Sequence, residues 1–115
     1  MSAATKNVII DQGADWFITF TYKDNTDSPI NLTNFSSHLQ LRTSYDASTA
    51  ALSLSSGNGI TITPLLGKIE VHATATQTGA IASGDYVYDL EITSSSGIIT
   101  RIVQGIAVVR PQVTR

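Results

Sequence analysis

The sequence predicts an all-β fold: an antiparallel β-sandwich of about seven or eight strands, with a small barrel as the competing closure, in a single domain over residues 1–115. Three observations carry this. Ile, Val and Thr make up 35 of the 115 residues, and their branched Cβ atoms fit a pleated surface better than a helix. Apolar residues recur with a period of two along most of the chain. Clusters of Gly, Asn, Asp, Ser and Pro break that alternation at short intervals, and a helical period is nearly absent.

Taken in order, the first strand is expected over 6–11, where Val8–Ile10 precede the turn at Gln12-Gly13. Over 15–23, Trp16, Ile18, Phe20 and Tyr22 alternate with Phe17, Thr19 and Thr21, so one side faces a core and the other water. Lys23-Asp24-Asn25-Thr26-Asp27-Ser28-Pro29 is turn chemistry. Leu39 and Leu41 mark a strand over 37–43, and Leu52 and Leu54 one over 50–55. Ser56-Gly57-Asn58-Gly59 turns the chain into 59–63, with Ile60 and Ile62 on one side. Leu66-Gly67 interrupts, and Ile69 and Val71 mark 68–73. A single helical turn fits around Thr74–Ala80, ended by Gly79. Tyr86, Tyr88, Leu90 and Ile92 alternate along 85–93, and Ser94-Ser95-Ser96-Gly97 makes the hairpin into 98–109. The expected core is Trp16, Ile18, Phe20, Leu39, Leu41, Ile69, Val71, Tyr86, Tyr88 and Leu90.

Composition narrows function by exclusion. Charged residues are 14% of the chain, against roughly 25% in ordinary globular domains. The net charge of −2 offers nothing to displace phosphate counterions, so nucleic acid is not an expected partner. No apolar run approaches the ~18 residues of a spanning helix, so no membrane is expected either. The absence of Cys removes disulfide frameworks and thiolate metal sites. Met1-Ser2-Ala3-Ala4-Thr5-Lys6 lacks the basic and apolar regions of a secretory signal, so synthesis in a cytoplasm is expected. Asn31-Leu32-Thr33 and Asn34-Phe35-Ser36 have the form of glycosylation sequons, as chance produces in a Ser- and Thr-rich chain.

A search for chemistry finds little. His38 and His72 lie on polar faces of different strands without a third ligand at metal spacing. Asp24, Asn25 and Asp27 crowd one turn but do not have the offsets of a calcium loop, and capping of the turn accounts for them. Asp89 and Glu91 share a strand face and are expected either to be solvated there or to pair across strands with cations such as Arg101. No nucleophile elbow, phosphate loop or ordered triad is present. The expectation is therefore a non-enzyme with no cofactor and no metal. Among the aromatics Trp16, Phe17, Tyr22, Phe35 and Tyr45, only Tyr45, in the loop after 37–43, stands free to stack on a sugar.

The last strand differs from the rest. Ile98, Thr100, Ile102, Gln104, Ile106 and Val108 alternate with Ile99, Arg101, Val103, Gly105, Ala107 and Val109, and both sets are largely apolar. A two-layer sandwich needs only one apolar face. Either a bend or bulge at Gly105 exchanges the faces, or the outer side is a protein interface. The interface would comprise Ile102, Ile106 and Val108, extended by Val113 in the tail.

Ser83-Gly84-Asp85-Tyr86-Val87-Tyr88 resembles the entry to the sixth strand of immunoglobulin-like domains, where a Gly and a Tyr form a tyrosine corner. Gly84 and Tyr86 take those positions, and Tyr88 stands where a disulfide Cys is usual. The ordered segments Gln12-Gly13-Ala14-Asp15-Trp16, Pro29-Ile30-Asn31-Leu32-Thr33, Leu39 to Tyr45, Asn58 to Ile62, Gly67 to Val71, Ser83 to Ile92, Thr100 to Gly105 and Val109 to Arg115 cover nearly the whole chain. Together they are similar to small immunoglobulin-like bacteriophage virion proteins and to the amino-terminal domain of phage baseplate upper proteins. The baseplate proteins continue into long further regions, whereas this sequence ends at Arg115. The resemblance implies an immunoglobulin-like β-sandwich that serves the virion as an assembly or adaptor module at the tail, baseplate or fibre. It implies contacts with other virion structural proteins in a symmetric, many-copy assembly and brings no catalytic residues. Capsid decoration, and a carbohydrate-binding adhesin that touches host glycan, are the alternatives.

Overall fold

In the computed structural model, which describes residues 3–114, the alternating segments form nine strands. They are β1 (Ala4–Thr5), β2 (Val8–Asp11), β3 (Trp16–Thr21), β4 (Ser36–Arg42), β5 (Leu52–Ser56), β6 (Gly59–Thr63), β7 (Lys68–Ala73), β8 (Gly84–Thr93) and β9 (Ile99–Arg110). A 3₁₀ turn at Pro64–Leu66 and one helical turn, α1 (Ala75–Gly79), complete the elements. The helical turn is held by a capping box: the Thr74 hydroxyl accepts from the Gln77 N–H, and the Gln77 side chain accepts from the Thr74 N–H.

The strands pair in the order β1-β9-β8-β4-β5-β6-β7-β3, with β2 also on β9. The hydrogen-bonded path is continuous but pinched at one point. β5 and β6 share only Ser55↔Gly59 and Ser56↔Ile60, and there the sheet curls over. This separates a larger layer (β1/β2-β9-β8-β4-β5) from a smaller one (β6-β7-β3), and a single buried cluster joins them. The fold is an immunoglobulin-like, all-β sandwich.

Three pairings are parallel. β1 and β2 run parallel to β9, and β5 runs parallel to β6. Of the expected first strand, 6–11, only Val8–Asp11 is strand, and β1 lies ahead of it over Ala4–Thr5; Lys6 and Asn7 between them make other contacts. The Asn7 side chain accepts from the Ile106 N–H, and the Lys6 carbonyl accepts from the Tyr88 hydroxyl.

Every residue of the expected core is buried except Ile18, which is half-buried. Each large side chain so buried contributes about 1.5–3 kcal/mol. Leu32 and Ile81, from irregular segments, are buried as well. Thr78 is a buried polar residue with its partners in place: its hydroxyl donates to the Ala14 carbonyl at 2.8 Å and accepts from the Gly13 N–H at 3.1 Å. It thereby fastens the turn after β2 to α1.

The two-sided apolar character of β9 has a local cause. Across β8 and β9, Leu90 faces Val103 but Glu91 faces Arg101, so Ile102 is the extra residue of a β-bulge. Ile102 and Val103 are consecutive and both buried, and the faces exchange at that step. The bulge lies at Ile102, three positions before the Gly105 that the alternation suggested.

Candidate functional site

The exchange of faces at the bulge corrects the interface expected from alternation. Ile102 is only 7% exposed and belongs to the core of its own chain, so it presents nothing to a partner. Ile106 remains outward at 46% exposure and Val108 is half-buried, while Val113 lies beyond β9 at 91%. Ile9 pairs with Val108 across β2 and β9 and is 55% exposed; Val87 pairs with Ile106 across β8 and β9. Ile9, Val87, Ile106 and Val108 thus form an outward apolar strip over three adjacent strands. Alternation had no means of including Ile9 and Val87, because their proximity depends on register between distant segments.

The strip ends at an ion pair. Arg110 faces Asp11 at the end of the β2–β9 ladder, and its guanidinium donates to both carboxylate oxygens, at 2.7 and 3.1 Å. Those hydrogen bonds, and the positive charge behind them, hold the Asp11 carboxyl below its ordinary range and raise Arg110 correspondingly.

On the other side of the strip the same sheet face becomes polar and concave. A groove of about 380 Å³ runs over β4, β8 and β9. β4 supplies His38, Gln40 and Arg42, β8 supplies Asp89 and Glu91, and β9 supplies Arg101 and Gln104. The bulge is what puts Arg101 and Gln104 on one face despite their odd spacing. Arg101 forms an ion pair with Asp89 at 3.1 Å and donates to the Gln104 side chain at 3.1 Å. The expected pairing of the β8 acids with Arg101 is therefore made by Asp89. Arg42 donates to Gln40 at 2.9 Å, and Gln40 donates to Ser53 at 3.1 Å. The second arm of Arg42 holds the Ala47 carbonyl at 3.0 Å, which fixes the loop carrying Tyr45. Tyr45 lines the groove at its rim and is 81% exposed.

The remaining expected residues are placed as follows. The Tyr86 hydroxyl donates to the Ala82 carbonyl at 2.6 Å, closing a four-residue corner with Gly84 inside it. Gly84 has φ +141°, and a Cβ there would meet nothing within 4 Å, so glycine is required by conformation and not by space. Tyr88 is buried, and burial pushes its hydroxyl pKa up to about 12. His72 stacks on the exposed ring of Phe17, with centroids 4.3 Å apart, and approaches Asp15 at 3.3 Å. That carboxylate companion, remote in sequence, was not visible from spacing. Asp24 accepts from the Thr26 N–H and hydroxyl and from the Ser28 N–H, which lowers its pKa and completes the turn. Among the described residues no cluster of three or more His, Cys, Asp or Glu side chains is arranged to hold a metal ion.

No protein-family model and no curated protein matches the sequence. Among solved structures the fold is similar to the GspB Siglec domain, with a TM-score of 0.53 at 16% identity over 92% of this chain and 54% of that one. The chain spans about half the length of that structure, and the likeness is one of fold.

Proposed function

We propose that this chain is a structural module of a bacteriophage virion, an adaptor at the tail, baseplate or fibre that works through protein–protein contact. The sequence resemblance supplies the biological setting. The observation that carries the contact reading is the strip of Ile9, Val87, Ile106 and Val108, with two isoleucines about half exposed on a regular sheet face. Water-facing positions of such a sheet are ordinarily polar, and contiguous apolar ones mark interaction sites. The mechanism is geometric: the strip buries against a neighbouring subunit while the Asp11–Arg110 pair at its end limits the register of docking.

The test uses Ile106→Asp. Since Ile106 is outward, the variant folds as the wild type does, by circular dichroism and thermal melting. It is then absent from purified particles by mass spectrometry, while the wild type is incorporated at a site that cryo-electron microscopy locates. Normal incorporation of the variant refutes the strip as the contact. Density on the head and not the tail replaces the adaptor reading with capsid decoration.

A further inference from the structure

We propose that the groove over β4, β8 and β9 is a binding site for a neutral hexopyranose, with Tyr45 as the platform on which the sugar ring stacks. This goes beyond the assembly reading and does not depend on it, because the groove adjoins the apolar strip without sharing its isoleucines.

The floor is the first argument. Its side chains end in planar amide, guanidinium and carboxylate groups, which match the paired hydroxyls of a pyranose two at a time. They are not loose. Ser53, Gln40, Arg42 and the Ala47 carbonyl form one hydrogen-bonded chain, and Arg101 is held between its ion pair with Asp89 and its hydrogen bond to Gln104. Lateral bonds of this kind fix rotamers before a ligand arrives, which lowers the ordering cost of binding.

Charge selects the ligand class. Two carboxylates, Asp89 and Glu91, stand against two guanidiniums, Arg42 and Arg101. Such a floor disfavours phosphate or any other anion, and it has no concentrated negative field for a cation. An uncharged, hydroxyl-rich ligand satisfies donors and acceptors of both kinds. A peptide side chain would instead call for an apolar pocket, and Val87 is the one aliphatic side chain of the lining.

Tyr45 completes the site. At 81% exposure the Tyr45 ring is open to solvent and free to stack on a ligand. Here the loop is tied to the floor: Arg42 holds the Ala47 carbonyl, and the Ala47 N–H bonds to the Ser44 carbonyl at 3.2 Å. The ring is thus presented at the rim by the same residue that lines the floor. The C–H face of a pyranose can lie on it while the hydroxyl edge meets Gln40, Asp89 and Arg101.

The experiment is a two-dimensional NMR titration of the full chain with the methyl glycosides of glucose, galactose, mannose, N-acetylglucosamine and rhamnose. Each is taken to roughly 20 mM, well above the ~1 mM dissociation constant that about −4 kcal/mol of binding represents. At least one should shift the amides of β4, β8 and β9 around the groove, saturably, without moving those of β3 and β7. Tyr45→Ala should weaken that binding roughly tenfold or more, as loss of a stacking aromatic does. Gln40→Ala should weaken it as well, and Phe17→Ala, on the opposite layer, should leave it unchanged. If no glycoside shifts the groove amides, or if Tyr45→Ala and Phe17→Ala bind as the wild type does, the groove is not a sugar site. Particle incorporation of Tyr45→Ala is read separately, so failure here leaves the assembly reading standing on its own test.

Discussion

Gly105→Ala should be among the more damaging small substitutions in this protein. Gly105 sits opposite Tyr88 in the β8–β9 ladder, with an unremarkable backbone that any residue could adopt. What it lacks is room. A Cβ would press into the Lys6 carbonyl, 2.8 Å from its carbon and 3.1 Å from the Asn7 Oδ1 atom. Carbon atoms in contact normally stand about 3.5–4.0 Å apart, so the Lys6–Asn7 segment must retreat by about 1 Å. Three hydrogen bonds hold that segment down: Tyr88 hydroxyl to Lys6 carbonyl, Lys6 N–H to Gln104 carbonyl, and Ile106 N–H to the Asn7 side chain. At about 0.5–1.5 kcal/mol each, their loss costs roughly 1.5–4.5 kcal/mol. Replacing Gly by Ala returns about 0.4–1 kcal/mol through the unfolded chain, which leaves a net loss of about 0.5–4 kcal/mol. In a domain of this size that lowers the melting temperature by roughly 2–16 °C. Trp16 is the only tryptophan and is buried, so its fluorescence reports unfolding in guanidinium directly. In a double-mutant cycle with Tyr88→Phe the two losses should add to less than their sum, since each removes the same bond. A loss below about 0.5 kcal/mol, or strict additivity with Tyr88→Phe, would refute this account of Gly105.

Tyr86→Phe removes the bond to the Ala82 carbonyl and should cost about 0.5–1.5 kcal/mol in the same denaturation assay, with the core otherwise intact. Gly84→Ala should cost about 1 kcal/mol or more although space is free, because its φ of +141° strains an L-residue; an unchanged midpoint would count against that conformation. Ile102→Asp should unfold the chain where Ile106→Asp does not, and comparing the two by circular dichroism checks the placement of the bulge. Tyr88 carries a raised hydroxyl pKa, so its stabilising contribution is whole below pH 10 and is lost as the pH climbs towards about 12; Tyr88→Phe should flatten the stability profile over that range. Asp11 is shifted the other way: its contribution is whole above its ordinary pKa near 4 and fades as the pH falls further, and Asp11→Asn should abolish that part of the acid slope.

The amino-acid sequence by itself determined the strands. Eight alternating segments and one helical turn fall within two or three residues of the observed elements, and nine of the ten expected core side chains are buried. This works because a half-buried strand writes its burial directly into a period of two, and the turns between strands need residues of special chemistry. The corner geometry was legible for the same reason, since Tyr86 and the Ala82 carbonyl are four residues apart. Tertiary structure decided what depends on partners far away in the chain. The bulge at Ile102 arises from how β9 meets β8, and it alone turns Ile102 inward and sets Arg101 beside Gln104 and Asp89. The parallel course of β1 and β2 along β9 brings Ile9 to Val108 and Lys6 over Gly105, across about a hundred residues of chain. The groove and the apolar strip are both products of register between strands, and register is a property that no single strand's pattern contains.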